Sequence, residues 1–101
     1  MTIEVHNNQE AGRYEALLDG QFAGFAFYRP DGDRIVFTHT EVPPEAQGKG
    51  VASVLIRAAL DDVRAHGKLI IPLCPFVVAF LKRHPDYVDL VVDHYQATVT
   101  P

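Results

Sequence analysis

The apolar residues of this chain change period at Gln47-Gly48-Lys49-Gly50. Before this point the sequence reads as strands. After it, Val51, Val54, Leu55 and Ala58 recur at helical spacing as far as His66. A strand ending at Val42-Pro43-Pro44, a turn with two glycines in three residues and a helix start are thus consecutive. Such glycines let the backbone turn tightly and approach a ligand closely. The first amides of a helix have no partner inside it, and its dipole favours negative charge there. The arrangement suits either a phosphate cradle or a plain tight strand-to-helix connection.

Thr2–His6 alternates weakly, and Tyr14–Leu18 and Phe22–Tyr28 flank Asp19-Gly20, a favoured hairpin turn. Phe25 and Phe27 share one face of their strand, and Gly24, Ala26 and Tyr28 the other. Pro30-Asp31-Gly32-Asp33 reads as a second turn, and Arg34–Val42 as a fourth strand rich in β-branched and aromatic residues. On the helix after Gly50, Ser53, Arg57, Asp61 and Arg64 form a narrow polar stripe, with Gly67 as C-terminal cap. Leu69–Leu73 reads as a short strand buried on both faces, ending near Pro72. Pro75 opens a second helix through Phe76, Val77, Phe80 and Leu81, which His84-Pro85-Asp86 ends. Val88–Val92 reads as a last strand, and residues 96–101 as a frayed tail. The expectation is one α+β domain over residues 1–101, an antiparallel four-strand meander followed by helix, strand, helix and strand. The strand–helix–strand crossover is expected to be right-handed, with parallel strands.

Two common phosphate loops are excluded. A P-loop needs four residues between its first Gly and Gly-Lys-Ser/Thr, and Gly50 is followed by Val51. A dinucleotide fingerprint needs a third glycine where Ser53 stands. What remains is Q-x-x-G-x-A, Gln47 to Ala52. This resembles the pyrophosphate loop of GNAT-type N-acetyltransferases, and Thr38-His39-Thr40-Glu41-Val42 with Cys74-Pro75-Phe76 resembles a small GNAT-like subfamily of about this length. The resemblance runs from Phe37 to Tyr87. It implies a GNAT-like mixed sheet that binds acetyl-coenzyme A as co-substrate in a gap between the fourth and fifth strands, and transfers acetyl to an amine. It places the coenzyme against Glu41, Val42, Gln47, Gly48, Lys49, Gly50, Val51, Ala52, Cys74, Pro75 and Phe76, with a backbone amide near Glu41 or Val42 facing the thioester oxygen.

Three residues are candidates for chemistry. Cys74 ends a strand and precedes a helix start, where the dipole lowers a thiol pKa, although a free Cys also serves as a small buried hydrophobe. The resemblance supports a catalytic Cys in C-P-F. His39 lies on the strand before the loop; by period two, Ile35, Phe37, His39 and Glu41 share one side unless a bulge intervenes. His39 opposite Cys74 suits a base, and Glu41 suits either its orienting partner or the base itself. Direct transfer and an acetyl-Cys74 route both remain open. Two departures from the GNAT pattern stand out. Leu81 occupies the position of the Tyr that protonates the leaving thiolate in many members, with Tyr87 further on and Cys74 the candidate replacement. The two helices that usually wall the acceptor site have no counterpart here, so the acceptor side should be open. A non-catalytic acyl-coenzyme A or partner-binding module is the alternative.

The net charge of −4 argues against a broad nucleic-acid footprint. The apolar runs fall short of the ~20 residues a membrane helix needs. With no signal-peptide pattern and a single Cys, the expected location is a reducing cytoplasm. Lys82 and Arg83 at a helix end suit the dipole, or a coenzyme phosphate. His6, His66, His84 and His94 lack metal-ligand spacing, so no metal is expected.

Overall fold

Asp19 and Gly20 both adopt positive φ, 50° and 84°, as a tight hairpin between right-twisted strands requires. The computed structural model describes residues 1–100 and builds outward from such turns. Strands β1 (Ile3–Asn8), β2 (Arg13–Leu18), β3 (Gln21–Asp31) and β4 (Arg34–Glu41) form the expected antiparallel meander. Helix α1 (Val51–Ala65) crosses over to β5 (Leu69–Pro72), which pairs parallel to β4, so the sheet order is β1-β2-β3-β4-β5. Helix α2 (Pro75–Arg83) follows. The chain ends in 3₁₀ turns at Pro85–Leu90 and Asp93–Tyr95 and a single helical turn, α3 (Gln96–Val99).

One face of the sheet and α1 make the core. Tyr14, Ala16, Ala26, Ile35 and Phe37 point inward and meet Leu55, Ile56, Ala59, Leu60 and Val63. The helix stops as Gly67 dictates: it takes φ 67°, its N–H reaches the Arg64 carbonyl, and the Lys68 N–H reaches back to Val63. Phe37 is wholly buried, and truncation of such a side chain to Ala costs about 3–5 kcal/mol.

The structure departs from the sequence expectations in five places. β3 runs through Pro30 to Asp31, so the second turn is confined to Gly32 and Asp33. Val54 is exposed and Ile56 takes its place in the core. β5 is not buried on both faces: Leu69 is exposed and Ile71 half-buried. Val88–Val92 is no strand. It enters a 3₁₀ turn, and Val91 makes only one isolated bridge, to Ile70. The tail does not fray: Val99 is wholly buried, α3 packs beside α2, and Gln96 Nε2 donates to the Val91 carbonyl. Pro101 lies outside the described residues.

Candidate functional site

β4 and β5 stay in register only as far as Phe37 and Pro72; the Leu73 N–H makes the last bond between them, to Phe37. Beyond it β4 continues for four residues without a partner on that side. The expected gap therefore opens at Thr38, with Thr40 to Val42 on one wall and Leu73 to Phe76 on the other.

The Gly-rich loop sits at the mouth of this gap. Pro44–Ala46 forms one 3₁₀ turn, and Gln47 Nε2 donates to the Val42 carbonyl at 2.9 Å, tying the loop to the end of β4. Gly48 and Gly50 take φ 78° and 79°, left-handed values that other residues adopt at a cost. No side chain caps α1. Its first amides, at Val51, Ala52 and Ser53, thus stay available to a ligand. A cleft of about 360 Å³ lies against them, lined by Val42, Gln47, Gly48, Gly50, Val51, Ala52 and Phe76. A second cleft, of about 430 Å³, shares Val42, Gln47 and Phe76 with the first and extends over Phe22, Phe25, Thr40 and Glu41. Phe76, 45% exposed, is the wall between them. Lys49 is exposed beside the loop and lines neither cleft, and Lys82 and Arg83 end α2 in solvent.

A bulge reorders the candidate catalytic residues. Phe27 pairs with His39 but Tyr28 pairs with Phe37, so Thr38 is an extra residue in β4. Ile35 and Phe37 point into the core, and after the bulge Thr40 does so instead of His39. His39 and Glu41 turn to the opposite face, next to Phe27 and Phe25. They pair with each other, His39 Nε2 to Glu41 Oε1 at 3.3 Å, with side chains 57% and 61% exposed. His39 therefore does not face Cys74, as an unbulged strand would have required.

Cys74 does cap the end of β5 and precede α2, with Pro75 in the first turn of that helix. It is not an exposed thiol, however. Cys74 is 1% exposed, and its Sγ lies 3.2 Å from Thr40 Oγ1. The strand end is covered because Thr40 and the first turn of α2 close over it. Tyr87 is also turned away from the gap. Its hydroxyl donates to Asp61 at 2.6 Å and accepts from Arg57 at 3.1 Å, and burial together with the Asp61 carboxylate raises its pKa. Leu81 is wholly buried. The proton donor absent from the sequence pattern is not restored by the fold.

Sequence reasoning missed Phe22, Phe25 and Thr40. The Phe25/Phe27 alternation was a visible signal for one open aromatic face. Phe22 joins it through a second irregularity, where the β2–β3 register shifts at Ala16/Leu17.

The family profile described as GCN5-related N-acetyl-transferase matches residues 13–90. Protein NATD1 of Bos taurus is 33% identical over an alignment of 90 residues that covers 82% of this chain and 75% of that protein. Protein NATD1 of Homo sapiens is 31% identical with the same coverage. The solution structure of a GCN5-like putative N-acetyltransferase from Staphylococcus aureus superposes with a TM-score of 0.67 at 24% identity, over 88% of this chain and 87% of that one. That likeness carries the fold.

Proposed function

The chain belongs to the GCN5-related N-acetyltransferase family, and from this premise we propose that it binds acetyl-coenzyme A at the Gln47–Ala52 loop and transfers the acetyl group to an amine. The observation that carries the proposal is the uncapped start of α1 behind two left-handed glycines, facing a cleft that borders the β4–β5 gap. The free amides of Gly48 to Ala52 would hold a pyrophosphate there, and the space beside Gly48 and Gly50 where a side chain would stand is open. Lys49 adds a nearby positive charge. Val42 and the Cys74-Pro75-Phe76 turn would hold the pantetheine arm.

When bound, the coenzyme supplies an activated thioester. The chain's own residues supply orientation and proton removal. A backbone amide near Glu41 or Val42, beyond the last bond between β4 and β5, stabilises charge developing on the carbonyl oxygen. Glu41 takes the amine proton, and His39, 3.3 Å away, orients the carboxylate. Direct transfer is favoured over the acetyl-Cys74 route, because the thiol is buried behind Thr40. A second reading, coenzyme binding without turnover, is favoured by the absence of a tyrosine hydroxyl in the gap.

Calorimetry with acetyl-coenzyme A on Gly50→Glu tests the loop. Binding should be lost, through like-charge repulsion and a blocked approach. Unchanged affinity in the folded variant would remove the loop from the site.

A further inference from the structure

A hollow of about 170 Å³ lies under the last turn of α1 and shares no lining residue with the two clefts above. Helix α1 is 15 residues long, so roughly 22 Å separate this hollow from the Gly-rich loop. Its floor is apolar: Tyr14 and Tyr28, with ring centroids 5.2 Å apart, beside Ile35 and Val63. A cavity of about 150 Å³ takes a benzene-sized molecule, so this one suits a ligand of about six to eight heavy atoms. Its rim is polar and fixed. The Tyr14 hydroxyl, on a residue 5% exposed, donates to Asp62 Oδ2 at 2.7 Å. Burial, and then this bond, raise the Tyr14 pKa, so the hydroxyl stays a donor and holds the carboxylate in place. His66 Nδ1 lies 2.7 Å from the Asp62 carbonyl oxygen and 3.4 Å from Oδ1, which keeps acceptor capacity for a ligand. Lys68 lines the same hollow, half-buried, and among the described residues its ammonium has no ion pair. Two opposite charges therefore face one cavity without meeting each other.

We propose that this hollow is a second binding site, and that it takes a small α-amino acid as the zwitterion. The ammonium sits at Asp62, where the negative end of the α1 dipole adds to the attraction. The carboxylate sits at Lys68, and the side chain lies on the two tyrosine rings. Asn7 Oδ1 accepts from the Tyr28 hydroxyl at 2.6 Å, which leaves the Asn7 amide hydrogens as further donors to the carboxylate. A ligand with the cation alone leaves Lys68 unmatched, and one with the anion alone meets Asp62 as a like charge. Only a molecule with both charges, set close together on a small apolar body, satisfies the rim and the floor at once.

An NMR titration of the full chain, followed at the backbone amides, tests the site with three matched probes. They are L-valine, isobutylammonium, which lacks the carboxylate, and isovalerate, which lacks the ammonium. L-valine should shift Tyr14, Tyr28, Asp62 and Lys68, and should bind about tenfold tighter than either analogue, as one charge-assisted hydrogen bond predicts. Lys68→Met should abolish the advantage of valine over isobutylammonium. Asp62→Asn keeps an acceptor for the Tyr14 hydroxyl, and should abolish the advantage of valine over isovalerate. Thermal melts check that both variants are folded, and the Lys68 variant, which loses no ion pair, should melt as the wild type does. No shift at these four residues overturns the site. So does equal affinity for valine and either analogue, or an advantage over isobutylammonium that survives in Lys68→Met. The titration needs no coenzyme A, so its outcome stands apart from the acetyl-transfer reading.

Discussion

Thr40 Oγ1 lies 3.2 Å from Cys74 Sγ, a polar pair that bridges the start of the β4–β5 gap inside an otherwise apolar interior. Each group is the other's partner. Cys74→Ala strands the Thr40 hydroxyl and should cost about 1–3 kcal/mol. Adding Thr40→Val removes the stranded group and should recover part of that loss. Chemical denaturation of the two single variants and the double variant measures the coupling; strictly additive losses would mean that the pair does not interact.

Burial also governs the reactivity of Cys74. Iodoacetamide should label the native protein slowly, at a rate that tracks transient opening, and acetyl-coenzyme A should not protect the thiol beyond its effect on stability. Fast native labelling that coenzyme A blocks would return Cys74 to the acyl-carrier role.

The bulge at Thr38 puts Glu41 ahead of His39 in the chemistry. Glu41→Gln should lower kcat by roughly 10²–10⁴-fold with coenzyme A affinity kept. His39→Gln keeps a hydrogen-bonding group beside Glu41 and should cost under about tenfold. Steady-state kinetics on both variants decides, and the reverse order would make His39 the base.

Gly24 marks the closest approach of β3 to the end of β4. A Cβ there would stand 2.9 Å from the Glu41 carbonyl oxygen and 3.2 Å from Val42 Cγ2. Gly24→Ala should therefore destabilise the protein by about 1–3 kcal/mol and shift Glu41. A thermal melt and the transfer rate should both fall; a variant with wild-type stability would show that the strand end yields freely.

Two carboxylates contribute stability that is lost in acid. Arg13 donates to Glu15 and holds its carboxyl below the usual range, and Arg64 does the same for Asp89. Both are more acidic folded than unfolded. Their contribution is complete above the unfolded values, about 4.3 for Glu and 3.9 for Asp, and fades as pH falls through the lower folded values. Arg13→Met should thus lower the urea midpoint more at pH 6 than at pH 3. An offset equal at both pH values would remove Glu15 from the account.

Local chemistry made much of the fold readable. Asp19-Gly20, Gly67 and the Gln47–Ala52 loop each demand one backbone shape whatever surrounds them, and each adopts it. Where tertiary context decides, the pattern misled. Val88, Val91 and Val92 have strand composition, but the segment leaves α2 through Pro85 and meets β5 at one residue only, so a 3₁₀ turn wins. Nothing at Thr38 announces a bulge: no glycine or proline stands there, and its hydroxyl reaches only the Phe27 carbonyl, at 3.5 Å. The site followed the same division. The loop was visible because its glycines specify geometry, whereas the facing of His39, Glu41 and Thr40 depends on one uncounted residue.

That single residue also sets how the strand tolerates changes of length. Because Thr38 is the extra residue, its removal would leave an unbroken alternation with Phe37 and Thr40 still inward and His39 and Glu41 still outward. Straightening the bulge with Thr38 kept would do the reverse, carrying His39 and Glu41 beneath α1 and pushing Thr40 out to solvent. Two ionisable groups would then enter the core, so this strand bears the loss of its extra residue more readily than the loss of its irregular pairing.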